Sequence, residues 1–181
     1  MKNTILFLFA VLLLLGFNTS YAQTNTVITG PAMATNTATH WPKEFTIGGS
    51  GVTNPKTRDT QFGLDATFAV QPLSLPIWFG INQELSWSPN LVGATDLSAD
   101  YAWPLITNKL YLNTGWSAGA TYDTSTLGWR TGPEASLEYY TVGNAFIIAG
   151  LNYDLVTRDS GGWNTANGNV FRYFIGVGVA W

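Results

Sequence analysis

Carboxylates dominate the residues of this chain that could carry chemistry. The 181 residues include 11 Asp and Glu, 8 Lys and Arg, one His and no Cys. Without a thiol, the chain can form no disulfide framework, thiolate metal site or cysteine nucleophile. The one imidazole, His40, lies in a polar stretch ahead of the first predicted strand. Its position indicates a solvated linker residue and not a catalytic base.

Two pairs of acids repeat the same spacing, Asp96 with Asp100 and Glu134 with Glu138. Residues four apart on one face of a strand are separated by about 13 Å, because a strand rises ~3.3 Å per residue. That separation is too long for two carboxylates acting directly on one bond. Hydrolytic triads also need a histidine beside the nucleophile. We therefore expect no enzymatic activity, no cofactor and no metal site.

The composition indicates what kind of scaffold carries these acids. Charged residues make up 10% of the chain and hydrophobic residues 46%, whereas a soluble domain has about 25% charged residues. The surface therefore has too little charge for ordinary contact with water. A disordered chain is excluded by the 14% aromatic content, since disordered chains are poor in aromatics. The absence of a basic excess argues against nucleic-acid binding.

The N-terminus resembles an export signal. Lys2 precedes an apolar run over residues 5–17, which would reach only ~20 Å as a helix, short of the ~30 Å hydrocarbon core. Small residues then precede a predicted cleavage site after Ala22; the alternative is an uncleaved anchor helix. We expect a signal peptide over 1–22, a polar and mostly disordered tail over 23–43, and a β-barrel over 44–181.

Alternation of apolar and polar residues with period two dominates the remainder and predicts strands. The predicted strands are 44–52, 60–70, 77–87, 95–103, 110–122, 129–139, 145–155 and 170–181. Their connections alternate between short turns (72–76, 104–108, 141–144) and longer loops (53–59, 88–94, 123–128, 156–169). This pattern is typical of an all-β, eight-stranded, antiparallel up-and-down transmembrane β-barrel.

The apolar face of these strands is expected to point outward, into lipid. The opposite face is rich in small and polar residues and has no Lys, which a water-facing surface would carry. Aromatic residues lie near the strand ends on the apolar face, as in the girdles of membrane barrels: Trp87, Trp103, Tyr122, Tyr139, Tyr153, Phe171 and Trp181. The alternative is a secreted soluble barrel with a hydrophobic cavity lined by Phe62, Phe79 and Ile81.

The C-terminal segment Phe-Arg-Tyr-Phe-Ile-Gly-Val-Gly-Val-Ala-Trp over 171–181, with the signal peptide and eight strands, resembles small outer-membrane barrels of the OmpA/OmpX type. The resemblance is architectural and implies insertion in the outer membrane of a Gram-negative-type cell. It also implies that the barrel-assembly machinery reads the outward residues of the last strand. These residues are Phe171, Tyr173, Ile175, Val177, Val179 and Trp181.

Nine ionisable residues fall on the inward face. They are Asp65, Glu84, Asp96, Asp100, Arg130, Glu134, Glu138, Asp154 and Arg172. Buried charge must be paired, hydrogen-bonded or neutralised. We expect a structural network in which Arg130 and Arg172 are shared among Glu84, Glu134 and Asp154. The alternative is a lumen that attracts cations or holds a hard metal such as Ca²⁺ or Mg²⁺, although no EF-hand spacing supports it.

The expected role is structural or surface-interacting, through the outer loops. Trp163 in the longest loop is the candidate contact for a surface partner; the other expected partners are outer-membrane lipid and the assembly machinery. The alternative is a small porin-like channel for ions or small solutes. Two outward residues, Gln83 and Pro133, do not fit a lipid face, and Pro133 predicts a bulge or local distortion.

Overall fold

The computed structural model describes residues 42–55, 58, 60–72, 75–87, 91–123, 126–141, 143–156 and 169–181. The predicted signal peptide and most of the predicted tail lie outside the described residues. Eight strands follow one another along the chain: β1 (Lys43–Thr53), β2 (Thr60–Val70), β3 (Ile77–Trp87), β4 (Leu91–Ile106), β5 (Leu110–Tyr122), β6 (Leu127–Tyr140), β7 (Ala145–Val156) and β8 (Asn169–Ala180). Among the described residues, no helix is long and apolar enough to cross a membrane.

The strands form one closed sheet in sequence order, and every neighbouring pair is antiparallel. Closure is completed by β1 pairing with β8, from Glu44 opposite Ala180 to Thr53 opposite Phe171. Lys43 and Trp181 extend this seam, exchanging backbone hydrogen bonds of 3.0 and 2.9 Å. The predicted eight-stranded up-and-down barrel is confirmed.

The two ends of the barrel differ in the chain segments that they carry. The terminal end carries Lys43, Trp181 and the connections 71–76, 107–109 and 141–144. The loop end carries the connections 54–59, 88–90, 123–126 and 157–168. Positive φ angles of 59° at Asn108 and 67° at Gly143 shape two of the terminal-end turns, and both residue types tolerate this conformation.

The apolar face of each strand points away from the lumen. Ile175 and Leu97 are 64% and 63% exposed on the outer surface. Phe62, Phe79 and Ile81 are exposed on the same surface. The alternative prediction, a soluble barrel whose inner cavity these residues line, is therefore wrong. A surface of this kind is suited to lipid, because its apolar side chains would face hydrocarbon and every strand backbone is paired within the closed sheet.

Three residues of the predicted girdles, Trp103, Tyr153 and Phe171, form aromatic ring contacts at opposite ends of the barrel. Tyr101 and Trp103 lie 4.4 Å apart between ring centroids near the terminal end, and Tyr153 and Phe171 lie 5.0 Å apart toward the loop end. Trp103 also donates from its indole nitrogen to Thr114 Oγ1 at 2.9 Å. An aromatic ring with a satisfied polar atom suits the boundary between hydrocarbon and water.

The predicted contrast between short turns and long loops is wrong for three of the four loop-end connections. Residues 88–90 and 123–126 are as short as the turns at the terminal end, and 54–59 matches 71–76 in length. Residues 88–90 are short because Leu91–Ile106 begins earlier than predicted, with Val92 and Ala94 buried inside the barrel, and 123–126 is short because β6 begins at Leu127. Only 157–168 is a long connection.

Gln83, on the outward side of β3, is satisfied by its neighbours and is only 5% exposed. Its amide nitrogen donates to Ala94 O at 2.9 Å and to the Tyr122 hydroxyl at 2.7 Å. Its amide oxygen accepts from Thr95 Oγ1 at 2.8 Å. A polar side chain that has both donors and its acceptor paired can lie against lipid at little cost.

Pro133 causes no bulge. The β6–β7 register places Thr131 opposite Leu155 and Glu134 opposite Asn152, so no extra residue is inserted between them. The hydrogen-bond ladder between β6 and β7 is interrupted at this position, as expected for a residue without an N–H donor. Beside it, a Cβ at Gly132 would lie 2.0 Å from Tyr153 O, so β6 and β7 approach too closely for any larger residue there.

Candidate functional site in the lumen

The arginine cluster occupies the loop-end half of the lumen and consists of Ser50, Glu84, Asp96, Arg130, Asp154 and Arg172. Each residue is the third to sixth from the loop end of its strand, and strand alternation points each one inward. Arg130, Glu84 and Asp96 are 2%, 1% and 1% exposed. The cluster therefore fills the barrel at this level.

Arg130 is the centre of the arginine cluster. Its Nη1 lies 2.9 Å from Glu84 Oε2, its Nε donates to Asp96 Oδ1 at 2.7 Å, and its Nη2 pairs with Asp96 Oδ2. The second Glu84 oxygen accepts from Ser50 Oγ at 2.8 Å. A guanidinium forking onto a carboxylate gives strong, directional hydrogen bonds, which can offset the desolvation of the three charges.

Arg172 is held less closely. Its Nε lies 3.3 Å from Asp154 Oδ2, and its Nη1 lies 3.8 Å from Glu84 Oε2 and 3.6 Å from Asp96 Oδ2. This second guanidinium adds positive charge beside carboxylates that Arg130 already binds. It also lines the cavity that follows toward the terminal end.

Glu134 is not part of the arginine cluster, and Asp96 takes the place predicted for it. Glu134 is the seventh residue from the terminal end of β6 and sits near mid-barrel. Its Oε2 accepts from Asn152 Nδ2 at 2.7 Å, and its carboxyl neighbours that of Asp100. Alternation places a residue on the inward face but does not say which level of the barrel it shares with partners on distant strands.

The acid chamber is the cavity between the arginine cluster and the terminal end. Its volume is about 100 Å³, room for several water molecules. Five carboxyl groups that make no ion pair with Arg130 line it: Glu44, Asp65, Asp100, Glu134 and Glu138. The terminal-end half of the described lumen is therefore rich in acids, whereas in the loop-end half two arginines are shared among three acids.

Carboxyl groups in the acid chamber meet across the barrel, not along one strand. Asp100 neighbours Glu134, and Glu44 neighbours Glu138, and all four side chains line the chamber. Two carboxylates that lie this close repel each other when both are ionised. The distance along the strand between Glu134 and Glu138 was thus the wrong distance to consider, because the neighbouring acid of each lies on another strand.

An aromatic cap closes the lumen at the terminal end. Its members are the buried hydrophobic residues Trp78, Ala102, Tyr111, Tyr140, Phe146 and Ala180. Tyr140 packs against Tyr111 and Phe146 at ring-centroid distances of 5.9 and 5.2 Å, and its hydroxyl donates to Glu44 Oε1 at 2.5 Å. A smaller apolar lid closes the loop end: Val52, Val92, Ala94, Val156 and Val170.

Sequence reasoning missed several residues of this interior. Glu44 is the second residue of the Gly-rich first strand, whose pattern does not place it in the lumen. Asn113 donates from Nδ2 to Glu138 Oε2 at 2.9 Å, and Asn152 donates to Glu134. Both asparagines alternate in step with the inward acids, and that periodicity was the available signal. Trp163 and His40 lie outside the described residues.

Within the described ranges, no group of three or more His, Cys, Asp or Glu side chains is arranged to hold a metal ion directly.

Comparisons with solved structures agree with this architecture. Neisserial surface protein A matches with a TM-score of 0.60 and 12% identity, over 77% of this chain and 96% of that chain. A major outer membrane protein from Thermus thermophilus matches with a TM-score of 0.52 and 10% identity, over 77% and 99%. Ail, the attachment invasion locus protein of Yersinia pestis, matches at 0.50 and 14%, over 78% and 99%.

These likenesses define the class of fold: a small eight-stranded β-barrel of the outer-membrane type. The predicted architectural resemblance is confirmed. No protein-family model and no curated protein matches the sequence, so sequence similarity assigns no particular activity.

Proposed function

We propose that this protein is an integral outer-membrane β-barrel that anchors its loop-end connections at the cell surface and does not serve as a pore. The single observation that carries the proposal is the arginine cluster, which fills the lumen with ion-paired side chains at most 5% exposed. An eight-stranded barrel is just wide enough for its interior side chains to fill it. What remains available to a partner is therefore an end of the barrel.

The outer surface supports insertion in lipid. Large apolar residues cover it, and the polar groups among them are paired with one another, as Gln83 is with Thr95 and Tyr122. The fold shared with outer-membrane proteins points the same way. The outward residues of β8, from Phe171 to Val179, are exposed, and we propose that the barrel-assembly machinery reads them together with Trp181.

The connection over 157–168 is our candidate for the surface contact. It is the longest connection, and long loops on a rigid scaffold are frequent binding elements. Trp163 supplies its one large aromatic side chain. The solved Ail structure is a complex with the heparin analogue sucrose octasulfate, so ligand binding is compatible with a barrel of this architecture.

The channel alternative would need a continuous polar path through the lumen. The arginine cluster blocks the loop-end half, and the aromatic cap closes the terminal end. Opening the path would require breaking two contacts of Arg130 in a dry interior, where an unpaired charge costs several kcal/mol. We also propose a non-enzymatic role, since the carboxylate that accepts from the Ser50 hydroxyl, Glu84, is already bound by Arg130 in the buried cluster.

Surface labelling tests the proposed placement. The native chain has no cysteine, so each single-cysteine variant carries one unique thiol. We expect Ser160→Cys to react on intact cells with a polyethylene-glycol maleimide too large to pass through porins. The matched variant Thr107→Cys, in the exposed terminal-end turn, should react only after the outer membrane is permeabilised. Labelling in the reverse order would overturn the proposed orientation.

Conductance in planar bilayers tests the closed lumen. The wild-type barrel should give no steady open state. Arg130→Met removes the centre of the plug and should increase the frequency of transient openings. If the wild-type protein conducts steadily, and conductance disappears when Glu84 and Glu134 are neutralised, the channel alternative is correct and the anchoring proposal fails.

A further inference from the structure

The closing seam, where β1 pairs with β8, differs from the other strand pairings of the barrel. Every other pair joins strands that are consecutive in the chain, whereas the seam joins strands at opposite ends of the barrel sequence and costs more loop-closure entropy. The inward polar side chains at the seam bind elsewhere: Ser50 donates to Glu84, and Arg172 pairs with Asp154. Between the described residues of β1 and β8, no side-chain hydrogen bond or ion pair crosses the seam.

One aromatic ring crosses the seam on the outer surface. Tyr173 of β8 lies directly opposite Gly51 of β1. A Cβ at Gly51 would lie 2.4, 2.5 and 2.7 Å from three atoms of the Tyr173 side chain, so the ring rests on the glycine itself. Gly51 is buried although it is on the outward face, whereas Gly49, two residues earlier on the same face, is half-buried. The ring therefore covers Gly51 in particular.

The same arrangement occurs once more on the outer surface, within a hairpin. Tyr122 of β5 lies directly opposite Gly93 of β4, where a Cβ would lie 2.3 Å from the ring. An aromatic ring packed on a glycine compensates for the side chain that the glycine lacks. Because a turn joins β4 to β5, this second pair provides an internal comparison for the pair at the seam.

We propose that Tyr173 is a latch on the closing seam: its ring, packed on Gly51, keeps β1 and β8 together and slows opening of the barrel there. Glycine within a strand weakens pairing because it has no side chain to pack, and at one rung of the seam Gly48 faces Gly176. A large side chain that reaches across the seam has the greatest effect where the strands themselves offer little. The latch acts in either orientation of the barrel in the membrane.

The rate of unfolding in concentrated urea, measured in detergent micelles by tryptophan fluorescence, tests the latch. Gly51→Ala displaces the ring and Tyr173→Leu removes it. Each should unfold about fivefold faster than the wild type, which corresponds to ~1 kcal/mol at ~1.4 kcal/mol per factor of ten. Tyr173→Phe keeps the ring and should unfold at the wild-type rate.

Two controls separate the latch from general effects of substitution. Gly49→Ala makes the same change on the same face of β1, where the nearest neighbour of the new Cβ would be Gly63 O at 3.9 Å; it should unfold no faster than the wild type. Phe79→Leu removes an outward ring that is 46% exposed, close to the 43% of Tyr173, away from the seam. Equal rates for Gly51→Ala and Gly49→Ala, or for Tyr173→Leu and Phe79→Leu, overturn the proposal.

A disulfide across the seam shows where the barrel opens. Phe45 and Val179 lie directly opposite each other, at a Cα separation that a disulfide spans, and the native chain has no cysteine. In the oxidised Phe45→Cys, Val179→Cys protein, Gly51→Ala should no longer speed unfolding, whereas the effect of Gly93→Ala should persist. Reduction should restore the effect of Gly51→Ala. An effect of Gly51→Ala that is equally large in the oxidised and reduced proteins would show that the ring does not act on the seam.

Discussion

The two halves of the lumen are built from the same residue types with opposite electrostatic outcomes. In the arginine cluster, Glu84 and Asp96 share the guanidinium of Arg130 at hydrogen-bond distance. In the acid chamber, Asp100 meets Glu134 and Glu44 meets Glu138, so carboxyl faces carboxyl. The comparison teaches that one well-placed arginine converts buried acids into a rigid plug. Without one, the same residue types line a cavity in which neighbouring carboxyls repel each other.

The largest expected effect follows from removing the centre of the plug. Arg130→Met leaves the buried carboxylates of Glu84 and Asp96 with only the longer ion pairs to Arg172 to balance their charge. Removing one partner of a buried ion pair lowers the free energy of unfolding by about 3–5 kcal/mol. Urea unfolding in detergent micelles, followed by circular dichroism, measures the loss.

The matched control for this variant is Lys109→Met, which removes one positive charge from an exposed turn. Lys109 lies 5.6 Å from the centre of the Tyr139 ring, a contact worth about 0.5–1 kcal/mol at an exposed site. Equal losses from the two variants would show that the arginine cluster contributes no more than a surface charge.

The same Gly→Ala change can be made in each half of the lumen, which allows a direct comparison of the two. A Cβ at Gly119 would lie 2.1 Å from Thr95 O and 2.3 Å from Asp96 Oδ1; at Gly115 it would lie 2.2 Å from Ala99 O and 2.3 Å from Asp100 Oδ1. Overpacking of this kind costs about 1–3 kcal/mol. We expect Gly119→Ala to cost more, because it also displaces Asp96 from Arg130, whereas Gly115→Ala displaces Asp100 from another acid.

Unfolding midpoints of the two alanine variants in the same detergent test this order. Gly49→Ala is the reference, since its Cβ would meet its nearest neighbour, Gly63 O, at 3.9 Å. A larger loss for Gly115→Ala than for Gly119→Ala would mean that the acid chamber is the more tightly packed half.

The smallest effect is expected from neutralising one member of a carboxyl pair. Asp100→Asn should change the free energy of unfolding by less than about 1 kcal/mol, because it relieves the repulsion between Asp100 and the neighbouring Glu134 and leaves no buried arginine without its partner. Chemical denaturation at neutral pH measures it. A loss comparable to that of Arg130→Met would contradict the division of the lumen into a plug and a chamber.

The barrel itself was predictable because strand periodicity is a local property. Alternation in β2, β3 and β5 matched the observed bounds, since each residue's face follows from its neighbours two positions away. The errors fell at strand ends. Residues 91–94 were predicted as part of a loop, yet Val92 and Ala94 pack inside the barrel. Pairing with β3 and β5 makes them part of a strand although their own sequence pattern is weak.

The lumen contacts were predictable only in part. Inward orientation of Glu84, Arg130, Asp154 and Arg172 followed from alternation, and these four do meet. That Asp96 and not Glu134 joins the arginine cluster depends on shear. Shear is the axial offset that accumulates as strands pair around a closed barrel. Shear is set by the whole ring of registers and is not encoded in any single strand.

The sequence by itself determined the strands, their outward apolar face and an acid-rich interior, because side-chain period and composition act within short segments. Tertiary structure decided which acids share an arginine and which face one another. Those partners lie 34 residues apart for Asp96 and Arg130 and 46 for Glu84 and Arg130. Their distances are fixed only when β1 closes on β8 and every strand takes its level in the barrel.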